Sequence, residues 1–106
     1  LHRKNAWITV WDDHESTNDS WRNGAENHQP ATEGPWEVRL QASARAYNEW
    51  MPIRTASDGN LLRISRAFDF GNLARLVMID TRIEGRDQYA VTQDQFLSFY
   101  LSARPD

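Results

Sequence analysis

Residues 6–11 alternate, with Trp7, Thr9 and Trp11 on one side and Ala6, Ile8 and Val10 on the other. Aromatic and β-branched residues on both faces read as a strand buried on two sides, the pattern of a central strand in a layered α/β core. The chain then changes character: residues 12–35 carry Gly24, Pro30, Gly34 and many Asn, Asp and Ser with little periodicity. A stretch this long without regular structure is usually functional or disordered. Trp21, an indole that would be wasted in a disordered segment, selects with Asn27-His28 an ordered loop at a site.

Gly34-Pro35 opens a helix, with Pro at the first helical position and Glu37 in the first turn, where a negative charge suits the helix dipole. Trp36, Leu40, Ala44, Tyr47 and Met51 recur at three- and four-residue steps, opposite Glu37, Arg39, Gln41, Arg45 and Glu49. Tyr47 and Trp50 read as core residues, and Pro52 ends the helix. Ser57-Asp58-Gly59-Asn60 is a turn, after which residues 62–70 alternate, with Ile64, Phe68 and Phe70 facing one way and Arg63, Ser65 and Asp69 the other. Gly71-Asn72 fits a type II′ hairpin turn with Gly at its first central position. Residues 73–79 return as the antiparallel partner, and the run Leu76-Val77-Met78-Ile79 predicts burial on both faces. After the polar turn Glu84-Gly85-Arg86-Asp87, a capping box of Thr92 and Gln95 starts a last helix with Phe96, Phe99 and Tyr100 on its apolar side. Arg104-Pro105 stops it. The order is strand, loop, helix, β-hairpin, helix, without repeats or low-complexity segments.

Composition narrows what such a chain does. Its 106 residues make one domain at most, and a net charge of −3 provides no basic field for nucleic acid or an anionic membrane. Phosphate recognition would have to come from local arginines or metal. The absence of cysteine excludes disulfides, thiolate ligands and cysteine nucleophiles. No apolar stretch approaches the about 20 residues of a membrane span, and Leu1-His2-Arg3-Lys4-Asn5 is not followed by a signal-type hydrophobic region.

The densest chemistry is Trp11-Asp12-Asp13-His14-Glu15, directly after the first strand and before Ser16-Thr17-Asn18-Asp19. A strand end that presents two carboxylates and an imidazole is an outline of a metal or acid/base site, since neighbouring acids repel unless a cation or proton lies between them. The plain alternative is a solvated loop whose Asp and Asn side chains cap the next turn. Asp80-Thr81-Arg82 ends the strand formed by residues 73–79, and ligands gather beyond the carboxyl ends of strands in α/β sheets. Asp12 and Asp80 would therefore point to one site if residues 7–10 and 73–79 ran parallel.

Taken in order, Trp-Asp-Asp-His-Glu, Asn18, Trp21, Gly24-Ala25-Glu26-Asn27-His28, Ala46-Tyr47, Glu49-Trp50-Met51-Pro52-Ile53-Arg54, Phe70-Gly71-Asn72-Leu73 and Met78-Ile79-Asp80-Thr81-Arg82 closely resemble the PhoD-like alkaline phosphatase and phosphodiesterase family of metallophosphatases. The resemblance spans about residues 3–88. It implies that the chain is a piece of a larger catalytic domain, a layered metallophosphatase β-sandwich with flanking helices, so α/β in the parent and α+β in the piece. It also implies a phosphoester substrate, divalent or trivalent metal ions of the calcium, iron or zinc class, and export to the periplasm or surface under a signal lying upstream. Some family members use a cysteine ligand located elsewhere in their chains.

In the wider fold class one strand ends in Gly-Asn-His-Glu, whose Asn binds a metal and whose His assists the leaving group; Asp12-Asp13-His14-Glu15 looks like the same block. By this likeness Asp13 is a metal ligand and His14 the leaving-group acid. Asp12, in place of the glycine, is a second ligand, an acceptor that orients His14, or structural. Asn18 is a further oxygen ligand. His28 reads first as a hydrogen-bonded or exposed loop residue and second as a ligand. Arg54 and Arg82 end structured segments, and guanidinium forks suit phosphate, although ion pairing is the commoner fate of arginine and Arg82 with Asp80 would make a buried brace.

The family pattern also requires an upstream Asp with a Tyr partner and downstream His and Asp ligands. The histidines here are His2, His14 and His28, with none afterward, so a complete two-metal site is not expected, and neither is substantial turnover by the isolated chain. Buried strands left without neighbours would favour edge pairing into a homo-oligomer. Two rival readings are a non-catalytic metal-binding or protein-interaction module derived from that fold, and an independent α+β domain whose Asp-Asp-His-Glu is an ordinary polar turn.

Overall fold

Helix formation dominates the middle of the chain. The computed structural model describes residues 4–5, 7–54, 56–88 and 93–102, and its elements in chain order are α1 (Pro30–Glu33), α2 (Trp36–Trp50), β1 (Arg66–Phe70), β2 (Ala74–Met78) and α3 (Gln93–Ser102). α2 forms where the apolar stripe predicts it: Trp36, Leu40 and Ala44 are buried along one face. Pro35 is its N-cap, not its first helical residue, while Pro30 takes the first position of the short α1 inside the long loop. The helix stops at Met51, whose N–H reaches Tyr47 O at 2.9 Å and whose ψ of 136° is the extended conformation that a following proline imposes. Tyr47 packs on the core, but Trp50 is 83% exposed, because it lies on the flank of the stripe at the helix's last residue.

Trp11, Ala25, Trp36, Leu40, Ala44, Ile64 and Ile83 form the core, with Val10, Tyr47, Ile53, Leu61 and Leu62 packed against it. Trp11 meets the Tyr47 ring edge-on at 5.5 Å. Such pairs add about 0.5–1.5 kcal/mol to the area they bury. This core joins α2 to the loop that follows Trp11 and to the turn around Ile83.

The hairpin is antiparallel with the register Arg66↔Met78, Phe68↔Leu76 and Phe70↔Ala74. Gly71 has φ 58°, and Leu73 N–H bonds Phe70 O at 3.1 Å. A positive φ at the first central position is the type II′ requirement that glycine meets without strain. Leu73 is one residue more than a two-residue loop needs. At the other end the ladder stops after Met78, because the Asp80 N–H turns to the Ser65 hydroxyl at 3.0 Å. The strand expected over residues 62–70 is therefore confined to its last five.

Two expectations fail. Residues 7–10 form no strand, and β1–β2 is the one sheet among the described residues, so no parallel pairing aligns the first segment with residues 73–79. A strand needs a ladder partner, and residues 7–10 instead use side-chain contacts: Tyr47 Oη donates to Thr9 Oγ1 at 3.1 Å, and the Arg66 guanidinium donates to Thr9 O. Nor is the hairpin buried on both faces, since Phe70, Leu76, Val77 and Ile79 are all exposed. The described residues cover them only in part. The architecture is thus α+β with a two-stranded antiparallel sheet. A helix does occupy residues 93–102, as expected; Thr92 of its capping box and the Arg104-Pro105 stop lie outside the described residues.

Candidate functional site

Trp11 is buried and the next residue leaves the core, so the Asp12-Asp13-His14-Glu15 block emerges from a fixed point. Asp12 N–H donates to Glu15 Oε2 at 2.8 Å, closing the block into a turn. From there polar bonds hold the loop onto α2. Ser16 Oγ lies 2.6 Å from Ser43 Oγ, and Arg39 Nε donates to Ser16 O at 3.2 Å. Trp36 Nε1 donates to Arg22 O at 3.1 Å. Gly24 lies under the Trp21 ring, where an added Cβ would come within 2.8 Å of Cζ2, and the two residues form a bridge. The loop is ordered, as Trp21 suggested.

A second segment closes on the first. Arg22 N–H donates to Arg86 O at 3.0 Å and its Nη2 to Glu84 O at 2.6 Å. Arg82, only 22% exposed at its side chain, directs Nη2 to Asp12 Oδ1 at 2.9 Å and to Asp13 Oδ1 at 3.6 Å, with Nη1 3.6 Å from Asp19 Oδ1. Arg86 Nη1 meets the same Asp19 oxygen at 2.7 Å. Asp19 has φ 51°, a left-handed conformation that Asp tolerates better than most residues. Three carboxylates and two guanidinium groups thus converge from segments about seventy positions apart. The parallel strands on which a shared site for Asp12 and Asp80 depended do not form; loops alone bring the Arg82 guanidinium to Asp12 and Asp13.

The individual side chains divide clearly. Asp13 is largely covered, while Asp12 and His14 are exposed, and His14 Nε2 lies 3.7 Å from Asp13 Oδ2. Asn18 donates through Nδ2 to Glu26 Oε2 and accepts the Glu26 N–H on its backbone carbonyl at 3.2 Å, so it braces the loop. Asp80 does not pair with the Arg82 guanidinium; its buried carboxylate accepts backbone N–H groups. Arg54 lines a separate open groove with Trp7, Ile53, Arg66 and Phe68, and the structure does not bring it to the acid block. His28 is buried against Trp36 at 5.2 Å, with Nε2 3.1 Å from Gly34 O, the hydrogen-bonded loop residue that its context suggested. Nearby, Glu33 is held below its ordinary value of 4.5, first by the Gln29 N–H and then by the Arg39 and His28 charges.

Asp19 and Arg86 were not singled out from the sequence. Asp19 carried a weak local clue, the turn-forming Asn-Asp-Ser; nothing local marks Arg86.

For a metal, the donors are right in kind but short in number. Carboxylate, amide and imidazole groups suit hard and borderline cations. Among the described residues, however, no three His, Cys, Asp or Glu side chains make a group able to hold an ion, and Asp12, Asp13 and Asp19 face guanidinium groups. These residues do not fit a whole metal site. What they make is a positively charged fork over a strongly acidic loop, beside an accessible imidazole.

The chain belongs to the PhoD-like phosphatase family, whose model matches residues 1–102. Among characterised relatives, it is 35% identical over 89 residues to alkaline phosphatase D of Bacillus subtilis (strain 168), an alignment covering 82% of this chain. The match spans about 15% of that relative's length. No solved structure matches the chain. No helix among the described residues is long and apolar enough to cross a membrane.

Proposed function

We propose that this chain supplies the acid-block portion of the site of a metal-dependent phosphoester hydrolase acting on phosphomonoesters or diesters. The observation that carries the reading is the convergence of Asp12-Asp13-His14 and Asp80-Thr81-Arg82 on one another in a member of a phosphatase family. Arg82 is the phosphate-contacting group: its fork matches a phosphoryl face and it already stands among the acids. His14, exposed at the surface, donates the proton to the departing oxygen. Asp13 would offer a carboxylate to a metal, with Asp12 and Asn18 as further oxygen donors, and the set would need donors beyond these residues to be complete. When bound, the metal supplies charge neutralisation and an activated water.

Transplantation tests this reading. The 89-residue region of the Bacillus subtilis enzyme that aligns with this chain is replaced by it, and hydrolysis of an aryl phosphodiester is followed. The hybrid is expected to turn over, to lose activity on chelation, and to lose about 10²–10⁴-fold in kcat with His14→Ala. A folded, active hybrid indifferent to His14→Ala overturns the assignment of the acid. The isolated chain is expected to show negligible turnover with calcium, zinc or iron, and brisk hydrolysis by it would contradict the shared-site reading. A second reading, a protein-interaction module, draws on the exposed apolar residues of the hairpin.

A further inference from the structure

Asp80 is only 5% exposed, yet it makes no ion pair with the arginine two residues later. Its Oδ1 accepts the N–H groups of Arg82 and Ile83, both at 2.8 Å, and Oδ2 accepts that of Glu84 at 3.1 Å. A carboxylate gathering three successive N–H groups fixes the backbone of those residues as an N-cap fixes a first helical turn. The turn is locked from two further directions. Ser65 Oγ accepts the Asp80 N–H at 3.0 Å and donates to Glu84 Oε2 at 2.6 Å, while Gly85 packs so tightly that a Cβ would come within 2.6 Å of Asp80 O.

We infer that Asp80 is the positioning residue for Arg82, its buried carboxylate setting the turn that delivers the guanidinium to Asp12, Asp13 and Asp19. Arg82 has a long, rotamer-rich side chain, and holding it in one place costs conformational entropy. Anchoring its backbone fixes where the side chain starts and which way it leaves the turn, so that the carboxylates of Asp12, Asp13 and Asp19 have only its side-chain rotamers left to restrain. The role of Asp80 in orienting Arg82 stands on geometry alone; its consequence for phosphate rests on the proposed function.

The test is the Arg82 Nε–H resonance of the 106-residue chain, its hydrogen exchange and its response to inorganic phosphate, in wild type, Asp80→Ala, Asp80→Asn and the core control Leu40→Ala. Asparagine still accepts two N–H groups through its carbonyl oxygen but cannot accept the third. Exchange at Arg82 Nε–H is expected to accelerate about tenfold or more in Asp80→Ala and by less in Asp80→Asn, beyond any change in Leu40→Ala. If Asp80→Ala does not fold, the comparison of Asp80→Asn with Leu40→Ala decides. Arg82 signals that are unmoved in the Asp80 variants, or moved equally by Leu40→Ala, overturn the inference. Phosphate separates the two ideas. Exchange that depends on Asp80 with no response to phosphate counts against the phosphate contact alone, whereas a phosphate response with exchange unchanged in the Asp80 variants sinks the positioning role alone.

Discussion

The loop side of the molecule and the hairpin side are ordered by opposite means. Residues 11–29 hold little apolar material, yet they are tied to α2 and to residues 80–87 by hydrogen bonds and ion pairs around the buried Trp11, Ala25 and Trp36. The β1–β2 hairpin is rich in apolar side chains but leaves Phe70, Val77 and Ile79 in solvent. Apolar content alone therefore does not mark what is buried in this chain: the polar loop is tied to the core, while much of the apolar hairpin stays exposed.

Breaking the loop side should cost most. Trp36→Ala removes a buried indole, its bond to Arg22 O and the surface on which His28 rests, and should destabilise the chain by about 3–5 kcal/mol in urea unfolding. Gly85→Ala drives a methyl into the Asp80 carbonyl, a backbone atom that cannot swing aside, and should cost about 1–3 kcal/mol by the same assay. On the hairpin, Val77→Ser should change stability by less than about 0.5 kcal/mol while reducing concentration-dependent association in sedimentation. An association unchanged by Val77→Ser would separate the exposed sheet from any self-pairing.

Glu33 gives the smallest effect, and its sign follows from its lowered pKa. The folded chain holds the carboxylate ionised more firmly than the unfolded chain does, so the stabilisation is complete above the ordinary value of 4.5 and is lost as pH falls through the lowered one. Thermal midpoints of wild type and Glu33→Gln should therefore differ near neutrality and converge in acid. A difference that widened below pH 4.5 would contradict the assigned partners.

These contrasts also explain what could be read from the sequence. The α2 stripe of Trp36, Leu40 and Ala44 and the Gly71 turn were legible because each is encoded in a short local pattern, whereas the long loop was legible only through its Trp21 anchor, the bonds that hold it reaching distant segments. The strand expected at residues 6–11 is not formed by the described residues 7–11, because alternation supplies only one side of a ladder and the described residues offer no second side. The acid block was legible as chemistry. Its engagement by Arg82, about seventy positions away, was suggested only through a parallel pairing that does not form, and the part played by Asp19 and Arg86 arises from loop packing that no local pattern records. Asp80 was read as a brace for the guanidinium, whereas it braces the backbone beneath it.

The most direct test of the central claim compares two arginines that the sequence presented as equals. Arg82 stands among Asp12, Asp13 and Asp19, and Arg54 lines a separate groove. In the transplanted enzyme, kcat/KM for an aryl phosphodiester should fall about 100-fold with Arg82→Ala and by less than about threefold with Arg54→Ala. Equal losses, or a larger loss at Arg54, would contradict a phosphoester site built where the acid block and the Asp80 turn meet.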